Sequence, residues 1–509
     1  MDNLLTRYWP LLSLIAGAFT TLAFAPFDYS WLVFISLALP FYLWTRLTAK
    51  QAALSAWLYG LGLQGTGVSW IYYSLHVHGS APVIFAVLLI FLLCCYLSIY
   101  MALSAYTVNR FLPESALLRL MVFYPASWVL FEWLQGYVMT GFAWMQLGYT
   151  QIDLPLAGFA PVFGNHAVGG LIAVTAGTFA LLVMRLGQKN YRAVPVIIMP
   201  VLLLWIAGGL LKTIDWTQAD GAAIRVSMVQ GNIPQKDKWK LHMKKPTMDM
   251  YRELSLAQQD VDLIIWPETA VPSYRYRVEP YFRQLQEDMK QRDADLLLGI
   301  FVKNDEGRVL NSVVNVVNDE VYHKRHLVPL GEFIPLRFLI EFFNRFVKIP
   351  MSDITSGEED QSLLTAAGVP VGINICFEEA FARDVIKDLP EAKILINVSN
   401  DAWFEDSIEP HQHHVIARMR ALEAGRYMIR STNTGVTSFI GPHGEVIGRL
   451  PQFERGVLKG TVQPLSGATP FVRWGDWLII GLCGLLLLVY AVIQKRNIQP
   501  EAQSKRQRD

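Results

Sequence analysis

The chain has 509 residues, a formal net charge of +1 and 52% hydrophobic residues. Only 17% of its residues are charged, against about 25% in an average soluble domain, which excludes a wholly soluble protein, and near-neutrality gives no footing for nucleic-acid binding. The deficit is uneven: residues 1–211 hold 8 of the 44 Lys/Arg and 5 of the 43 Asp/Glu, so a membrane half is joined to an ordinary globular half.

A spanning helix needs about 20 mostly apolar residues. Apolar runs at 9–26, 30–47, 54–73, 82–107, 119–138, 166–186 and 193–211 predict a seven-helix region over residues 1–211, and an eighth span falls at 473–493. The first run has the weak n-region of a retained segment and leads through Pro26-Phe27-Asp28 into the second. Gly60, Gly62, Gly65 and Gly67 fit close helix packing. Cys94, Cys95 and Cys483 lie inside apolar runs as packing residues. Glu132 is the clearest charge within a span, too little for a transport path. Lys and Arg collect in cytoplasmic loops. Arg46 and Lys50, then Arg110 and Arg119, then Arg185, Lys189 and Arg192 occupy alternate connections, whereas 74–81 and 138–165 hold neither residue type. The pattern predicts about eight spans, both termini and the basic tail 494–509 in the cytoplasm, and residues 212–472 outside it. His76 and His78 fall in a short outer loop.

The outer block, 220–465, alternates short apolar runs with polar helical stretches, the signature of an α/β layered domain. Strands are predicted at Ile224–Val229, Leu263–Trp266, Leu296–Phe301, Ser312–Val317, Val369–Ile375, Ile394–Val398, Thr437–Ile440 and Gly456–Val462. Helices are predicted at Met243–Gln259, Pro280–Arg292, Phe377–Lys387 and His411–Ile429. Ile334–Pro350 places Leu336, Leu339, Phe343 and Phe346 at helical spacing among Arg337, Arg345 and Lys348, the pattern of a helix in a membrane interface. Ile233–Met243, which contains Trp239, mixes Pro, Lys and aromatics without periodicity and reads as a mobile loop gating access.

Three strand-end groups stand out. Glu268 follows Leu263–Trp266 in a Trp-Pro-Glu-Thr turn. Lys324 lies in Tyr322-His-Lys-Arg-His326, with Glu332 just beyond. Cys376 ends Gly372-Ile-Asn-Ile-Cys376, with Glu378 and Glu379 after it. Cys376 is the sole cysteine of the outer block. Outside the cytoplasm cysteines usually pair, so an unpaired one is either a buried inert residue or a reactive thiol, and spacing alone leaves both open. A thiol needs a base to become a thiolate; a desolvated glutamate can serve, and a lysine can stabilise an oxyanion. His411, His413 and His414 do not share one helical face and lack the Cys or Asp set of a metal site, so no metal is expected and they read as the solvated start of a helix. Arg418 and Glu423 read as a structural ion pair.

In combination and order these groups resemble the nitrilase superfamily, whose Glu-Lys-Cys set sits on an α-β-β-α sandwich. The match is closer to the apolipoprotein N-acyltransferase family. It rests on the flanking membrane segments, Gln230-Gly-Asn-Ile-Pro-Gln235 with Trp239, Trp266-Pro-Glu-Thr269, His326-Leu-Val-Pro-Leu-Gly-Glu-Phe333, Ile375-Cys-Phe-Glu378 and Asn397-Val-Ser-Asn-Asp-Ala-Trp-Phe404, and covers essentially the whole chain. The resemblance implies Glu268 as general base, Lys324 as transition-state stabiliser and Cys376 as nucleophile. It gives Glu332 as a further carboxylate of the site, and Trp239 and Glu378 as substrate-handling positions; Asn400 is raised to a pocket residue. Phe377 stands where some members have Tyr, which removes a hydroxyl donor. The resemblance further implies transfer of a fatty acyl chain from a phospholipid, phosphatidylethanolamine being the expected donor, to the α-amine of a diacylglyceryl-cysteine apolipoprotein. A Cys376 thioester would be the intermediate. The expected setting is a monomer in a bacterial inner membrane, its catalytic domain periplasmic, with no cofactor. A membrane-anchored amidase of small amides would share the three residues but use water as acceptor; a polytopic transporter or receptor would need none of them.

Overall fold

A computed structural model of the chain describes residues 2–329, 331–333 and 353–506. The expected interfacial segment Ile334–Pro350 lies outside the described residues. The chain divides into two compact units, one of residues 1–69, 89–214 and 474–509, the other of residues 70–88 and 215–473.

The first unit is helical. Four of its helices are long and apolar enough to cross a membrane: Val83–Phe111, Ala116–Gln135, Pro155–Gly187 and Ala193–Leu211. Leu32–Trp44 and Trp477–Val492 are apolar but shorter; 13 residues of helix reach roughly 20 Å of a roughly 30 Å hydrocarbon core. The helix Ala49–Gly67 starts at a Thr48/Gln51 capping box, which satisfies two otherwise orphaned N–H groups. Glycine sets how closely it packs. A Cβ on Gly62 would stand 2.1 Å from Leu14 O, and one on Gly17 1.9 Å from Tyr59 O. Gly60 and Gly67 are equally crowded, by Ser98 and Met145. Gly65 departs from the expectation, with nothing within 4 Å.

The second unit carries the strands β1 (Gln218–Ala219), β2 (Ile224–Gln230), β3 (Leu263–Ile265), β4 (Asp295–Lys303), β5 (Val309–Asn315), β6 (Val321–His323), β7 (Leu364–Ala366), β8 (Val369–Ile375), β9 (Ile394–Ser399), β10 (Met428–Thr432), β11 (Ser438–Ile440), β12 (Val446–Arg449), β13 (Gly456–Val462) and β14 (Leu465–Ser466). One six-stranded sheet runs β13-β2-β3-β4-β5-β6 and the other β12-β11-β10-β9-β8-β7. Period-two alternation explains the layering. Val226, Ile265 and Leu297 of the first sheet meet Ile373, Ile375, Ile396 and Val398 of the second in one buried core. The opposite faces bury Ile264, Leu296 and Leu298 under the helices Leu241–Leu256 and Glu279–Lys290, and Leu395 and Met428 under Glu409–Ala424. The result is an α-β-β-α sandwich.

Two helix expectations are corrected. The helix Glu409–Ala424 ends at Gly425, which takes a left-handed φ of 59°, and Met428–Thr432 is a fully buried strand rather than its continuation; glycine at the cap is the stop signal. Phe377–Lys387 is not one helix but a 3-10 turn Cys376–Ala380, a single α-turn Ala382–Val385 and a second 3-10 turn Ile386–Asp388. Residues 70–88, expected as span end and outer loop, belong to the sandwich unit. Trp70 Nε1 donates to Gln412 Oε1 at 3.0 Å, and its ring meets Phe404 edge-on at 4.8 Å.

Candidate active site

β8 and β9 run parallel, with Ile375 opposite Val398, so Cys376 leaves the end of β8 beside Ser399. It is half-buried and holds a left-handed φ of 52°. Non-glycine residues rarely adopt this backbone, and it clusters at functional turns. Two donors grip its carbonyl oxygen: Asn397 Nδ2 and His413 Nε2, each at 3.3 Å. The 376–377 peptide is trans, so C=O and N–H point oppositely and the Phe377 N–H is directed away from that grip.

β3 ends at Ile265, and Trp266 continues its pairing by donating N–H to Leu297 O at 2.9 Å. The chain then turns through Pro267-Glu268-Thr269 against β4. The approach is so close that a Cβ on Gly299 would lie 2.4 Å from Thr269 N and 2.7 Å from Glu268 Cα. Gly299→Ala is therefore expected to displace the Glu268 turn and cut activity at least tenfold while costing about 1–3 kcal/mol of stability; activity assay beside thermal melting checks both.

Lys324 follows β6, and its N–H extends the ladder to Asn311 O at 2.8 Å. Its Nζ, on a side chain 1% exposed, lies 2.9 Å from Glu332 Oε2 and 3.9 Å from Glu268 Oε1. Asn311 Nδ2 bridges both carboxylates, at 2.7 Å to Glu268 and 3.1 Å to Glu332. Glu332 Oε2 also accepts from Val328 N at 2.8 Å. Burial opposes the Lys324 charge, yet Glu332 and Glu268 hold its pKa above the ordinary lysine range. Burial raises Glu268, an effect Lys324 offsets in part. Burial, then the negative charge of Glu268, pushes the Cys376 thiol well up, with Lys324 opposing. The resting group is a neutral thiol within the field of a carboxylate that holds its own proton more readily than usual, which suits general-base transfer.

The other predicted residues divide. Glu378 is a holding group: Arg325 N (2.6 Å) and His326 N (3.0 Å) donate to Oε1, Ile375 N (2.6 Å) donates to Oε2, and the Tyr322 hydroxyl reaches both oxygens. It pins the Lys324 segment to the Cys376 turn. Burial raises it to about 7. Asn400 is 3% exposed and sits in an amide chain, donating to Gln235 Oε1 and accepting from Asn433 Nδ2, both at 2.9 Å. Phe377 is buried, its ring edge-on to Phe381 at 5.0 Å. Trp239 is 43% exposed and stacks on Phe301, centroids 5.7 Å apart.

The histidine expectation is corrected. His413 and His414 are buried, not solvated. His413, Asp401 and Glu409 do bring ligand atoms within 4.8 Å of one another. Yet Arg430 already fills this cluster: Nη2 lies 3.0 Å from Asp401 Oδ2 and 2.9 Å from His413 Nδ1, and Nη1 binds Glu379. A guanidinium supplies the positive charge that a metal would bring. His413 Nε2 meets Glu379 Oε1 at 2.9 Å. Burial and Arg430 oppose its protonation, but Glu379 and Asp401 prevail and raise its pKa. Arg418 and Glu423 are not a pair: Arg418 donates to Gly444 O, and Glu423 lies 2.9 Å from Arg420.

Sequence reasoning missed Lys238, Asn311, Asn397, His413 and Arg430. Lys238 is the most consequential. It is 3% exposed, its Nζ donates to Glu268 O at 3.1 Å, and burial lowers its pKa to about 8, against the pull of Glu268 and Cys376. Its signal was faint, a lysine beside Trp239 in a segment without periodicity.

Comparison with known proteins bears on the whole chain. The family model of the apolipoprotein N-acyltransferase N-terminal domain matches residues 16–178, and that of the carbon-nitrogen hydrolases matches residues 225–471. The apolipoprotein N-acyltransferase of Methylococcus capsulatus is 41% identical over 492 residues, covering 96% of each chain. That of Pseudomonas syringae pv. tomato is 40% identical over 497 residues, covering 96% of this chain and 97% of the relative. Among solved structures, a mutant of the Nesterenkonia AN1 amidase from the nitrilase superfamily aligns at 14% identity and a TM-score of 0.37, covering 50% of this chain and 95% of that one. Identity of about two residues in five across both halves places the protein: the chain belongs to the apolipoprotein N-acyltransferase family, acyltransferases that join a membrane region to a carbon-nitrogen hydrolase domain.

Proposed function

We propose that this protein moves a fatty acyl chain from a phospholipid, phosphatidylethanolamine by preference, to the N-terminal α-amine of a diacylglyceryl-cysteine apolipoprotein through a Cys376 thioester. The observation that carries the reading is the Glu268–Lys324–Glu332 cluster, whose charges act on a thiol held in a left-handed turn. Glu268 takes the thiol proton and the thiolate attacks the acyl ester carbon. Lys324 and the Phe377 N–H receive the charge that develops on the carbonyl oxygen. The C–O ester bond breaks, Glu268 returns its proton to the leaving lysophospholipid oxygen, and the acyl chain remains on sulfur. The acceptor amine, in its neutral form, then attacks the thioester carbon. Glu268 takes its proton and passes it to the departing thiolate, leaving an amide and free enzyme. Glu332 and Asn311 fix Lys324 and Glu268; Glu378 fixes the segments that carry Lys324 and Cys376. Trp239, at the exposed side, handles the lipid chains. The cycle uses no metal or cofactor.

In this reading the protein is a monomer of the bacterial inner membrane. Its eight helical segments cross the bilayer with both termini in the cytoplasm and the sandwich in the periplasm. Residues 1–211 form the membrane region, 220–465 the catalytic domain, 473–493 the last span and 494–509 the tail.

Two half-reactions at one atom imply ping-pong kinetics. Incubation of the purified protein with phospholipid alone is expected to add one acyl mass to the Cys376 peptide, and a diacylglyceryl-cysteine peptide is expected to discharge it. An unmodified Cys376 peptide after donor incubation would sink the covalent route.

Lys238 gives the reaction a pH dependence. Its ammonium favours the thiolate, and its pKa of about 8 lies within the working range. As pH rises through that value the charge is lost, so the rate falls on the alkaline side. Lys238→Arg keeps the charge at every accessible pH. The alkaline limb is expected to move up by at least one unit, read from thioester formation between pH 6 and 10.

A further inference from the structure

The helical unit buries a carboxylate that this chemistry leaves unused. Glu132 lies on the helix Tyr124–Gln135. Its Oε1 accepts from Leu147 N at 3.1 Å and Trp128 Nε1 at 3.3 Å, while its Oε2 is sealed from solvent without a hydrogen-bond partner. Gln64 Oε1 and Ser104 Oγ, on side chains 1% exposed, are likewise without partners. All three side chains line one cavity of about 310 Å³, walled also by Tyr100, Trp128 and Trp144. Ionisable residues inside membrane bundles are costly to bury and mark sites that face a partner.

The unsatisfied atoms define that partner. Two are pure acceptors, a carboxylate oxygen and an amide carbonyl; the third is a hydroxyl that also accepts. The missing group must bring N–H or O–H donors. The carboxylate favours a cation, and aromatic walls favour one too. A primary ammonium offers three donors and one positive charge on a group close to the size of a water molecule, whereas water brings the donors without the charge. We propose that this cavity holds the primary ammonium of a lipid-borne group. Two sources share that chemistry: an aminoethyl phospholipid headgroup, and the free α-amine of a lipid-anchored peptide. Both sources rest on the acyl-transfer reading; the ammonium chemistry rests on the cavity alone.

The test reads binding without turnover, on full-length protein carrying Cys376→Ala, by native mass spectrometry from detergent. Dodecylamine is expected to be retained at least tenfold better than dodecanol, and Glu132→Gln is expected to erase the difference. Equal retention of amine and alcohol overturns the proposal, as does a preference that survives Glu132→Gln. Dioleoyl phosphatidylethanolamine against dioleoyl phosphatidylglycerol, and a diacylglyceryl-cysteine peptide with a free against an acetylated amine, identify the source by the same Glu132-dependent preference. Preference for dodecylamine with none in either lipid pair overturns the lipid-borne assignment. If Glu132→Gln does not fold, Gln64→Leu takes its place, with at least a threefold loss of amine retention expected and unchanged retention counting against the site. Because Cys376→Ala forms no thioester, failure of the covalent route leaves this measurement intact, and the two failures are told apart.

Discussion

Replacing Cys376 by alanine is expected to abolish acyl transfer and leave the fold intact. The sulfur is the only atom of the proposed route that bonds to the acyl chain, so no residual ping-pong path remains. The fold should tolerate the loss. Cys376 is half-buried, and its main-chain position is fixed by Asn397 and His413 through the carbonyl rather than through sulfur. Alanine keeps the same left-handed strain, so stability is expected to change by less than about 1 kcal/mol. Glycine sharpens the test. A φ of 52° costs a non-glycine residue roughly 1–2 kcal/mol that glycine does not feel. Cys376→Gly is expected to be inactive yet at least as thermostable as the parent, since the stored strain serves function alone. Melting temperature measured beside apolipoprotein acylation reads both. Measurable transfer by either variant would remove Cys376 from the route, and a melting temperature that falls by many degrees would show the thiol to be a packing residue instead.

The sandwich was legible where its strands are long and apolar. Val369–Ile375 and Gly456–Val462 match the expected bounds, because alternation in a fully covered sheet leaves little else for such runs to be. Strands of three residues, Val321–His323 and Leu364–Ala366, carry no periodicity to read. β10 was hidden for a different reason: Arg430, Ser431 and Thr432 are polar yet buried, because Arg430 is neutralised by Glu379 and Asp401. A polar strand in a core is intelligible only once its partners from Cys376–Ala380 and the turn after β9 are in place. The same limit governs the site. Glu268, Lys324 and Cys376 follow strand ends and could be named from order and neighbours, and the described geometry brings Glu268, Lys324 and Glu332 together. Glu378 and Asn400 were singled out for substrate contact, but their donors and acceptors are spent on Arg325, His326, Gln235 and Asn433. Whether a polar side chain faces a ligand or another segment is a property of the packed chain, not of its own neighbourhood in sequence.

Lys324→Met is expected to be the most damaging single change to both stability and rate, and its pH dependence separates the two. Lys324 is the cation between Glu268 and Glu332, at 3.9 and 2.9 Å. Methionine fills similar volume but leaves two buried carboxylates with Asn311 as their shared donor. Removing one partner of a buried ion pair costs about 3–5 kcal/mol, and loss of an oxyanion donor costs roughly 10²–10³ in rate. In the variant, like-charge repulsion and burial both raise the folded-state pKa of the carboxylates above their unfolded values. A carboxyl raised in the folded state binds its proton more tightly when folded, so the penalty is absent below the unfolded pKa, near 4, and grows as pH rises from there. Lys324→Met is therefore expected to melt closer to the parent at pH 5 than at pH 7.5. Adding Glu332→Gln removes one of the two charges and should recover a large part of the stability at pH 7.5 without restoring transfer, because the oxyanion donor is still missing. Thermal melts of the parent, the single and the double variant at both pH values decide it. A single variant whose deficit is the same at pH 5 and 7.5 would mean that Lys324 acts by packing rather than by charge. A double variant that regained transfer would mean that the oxyanion is stabilised elsewhere.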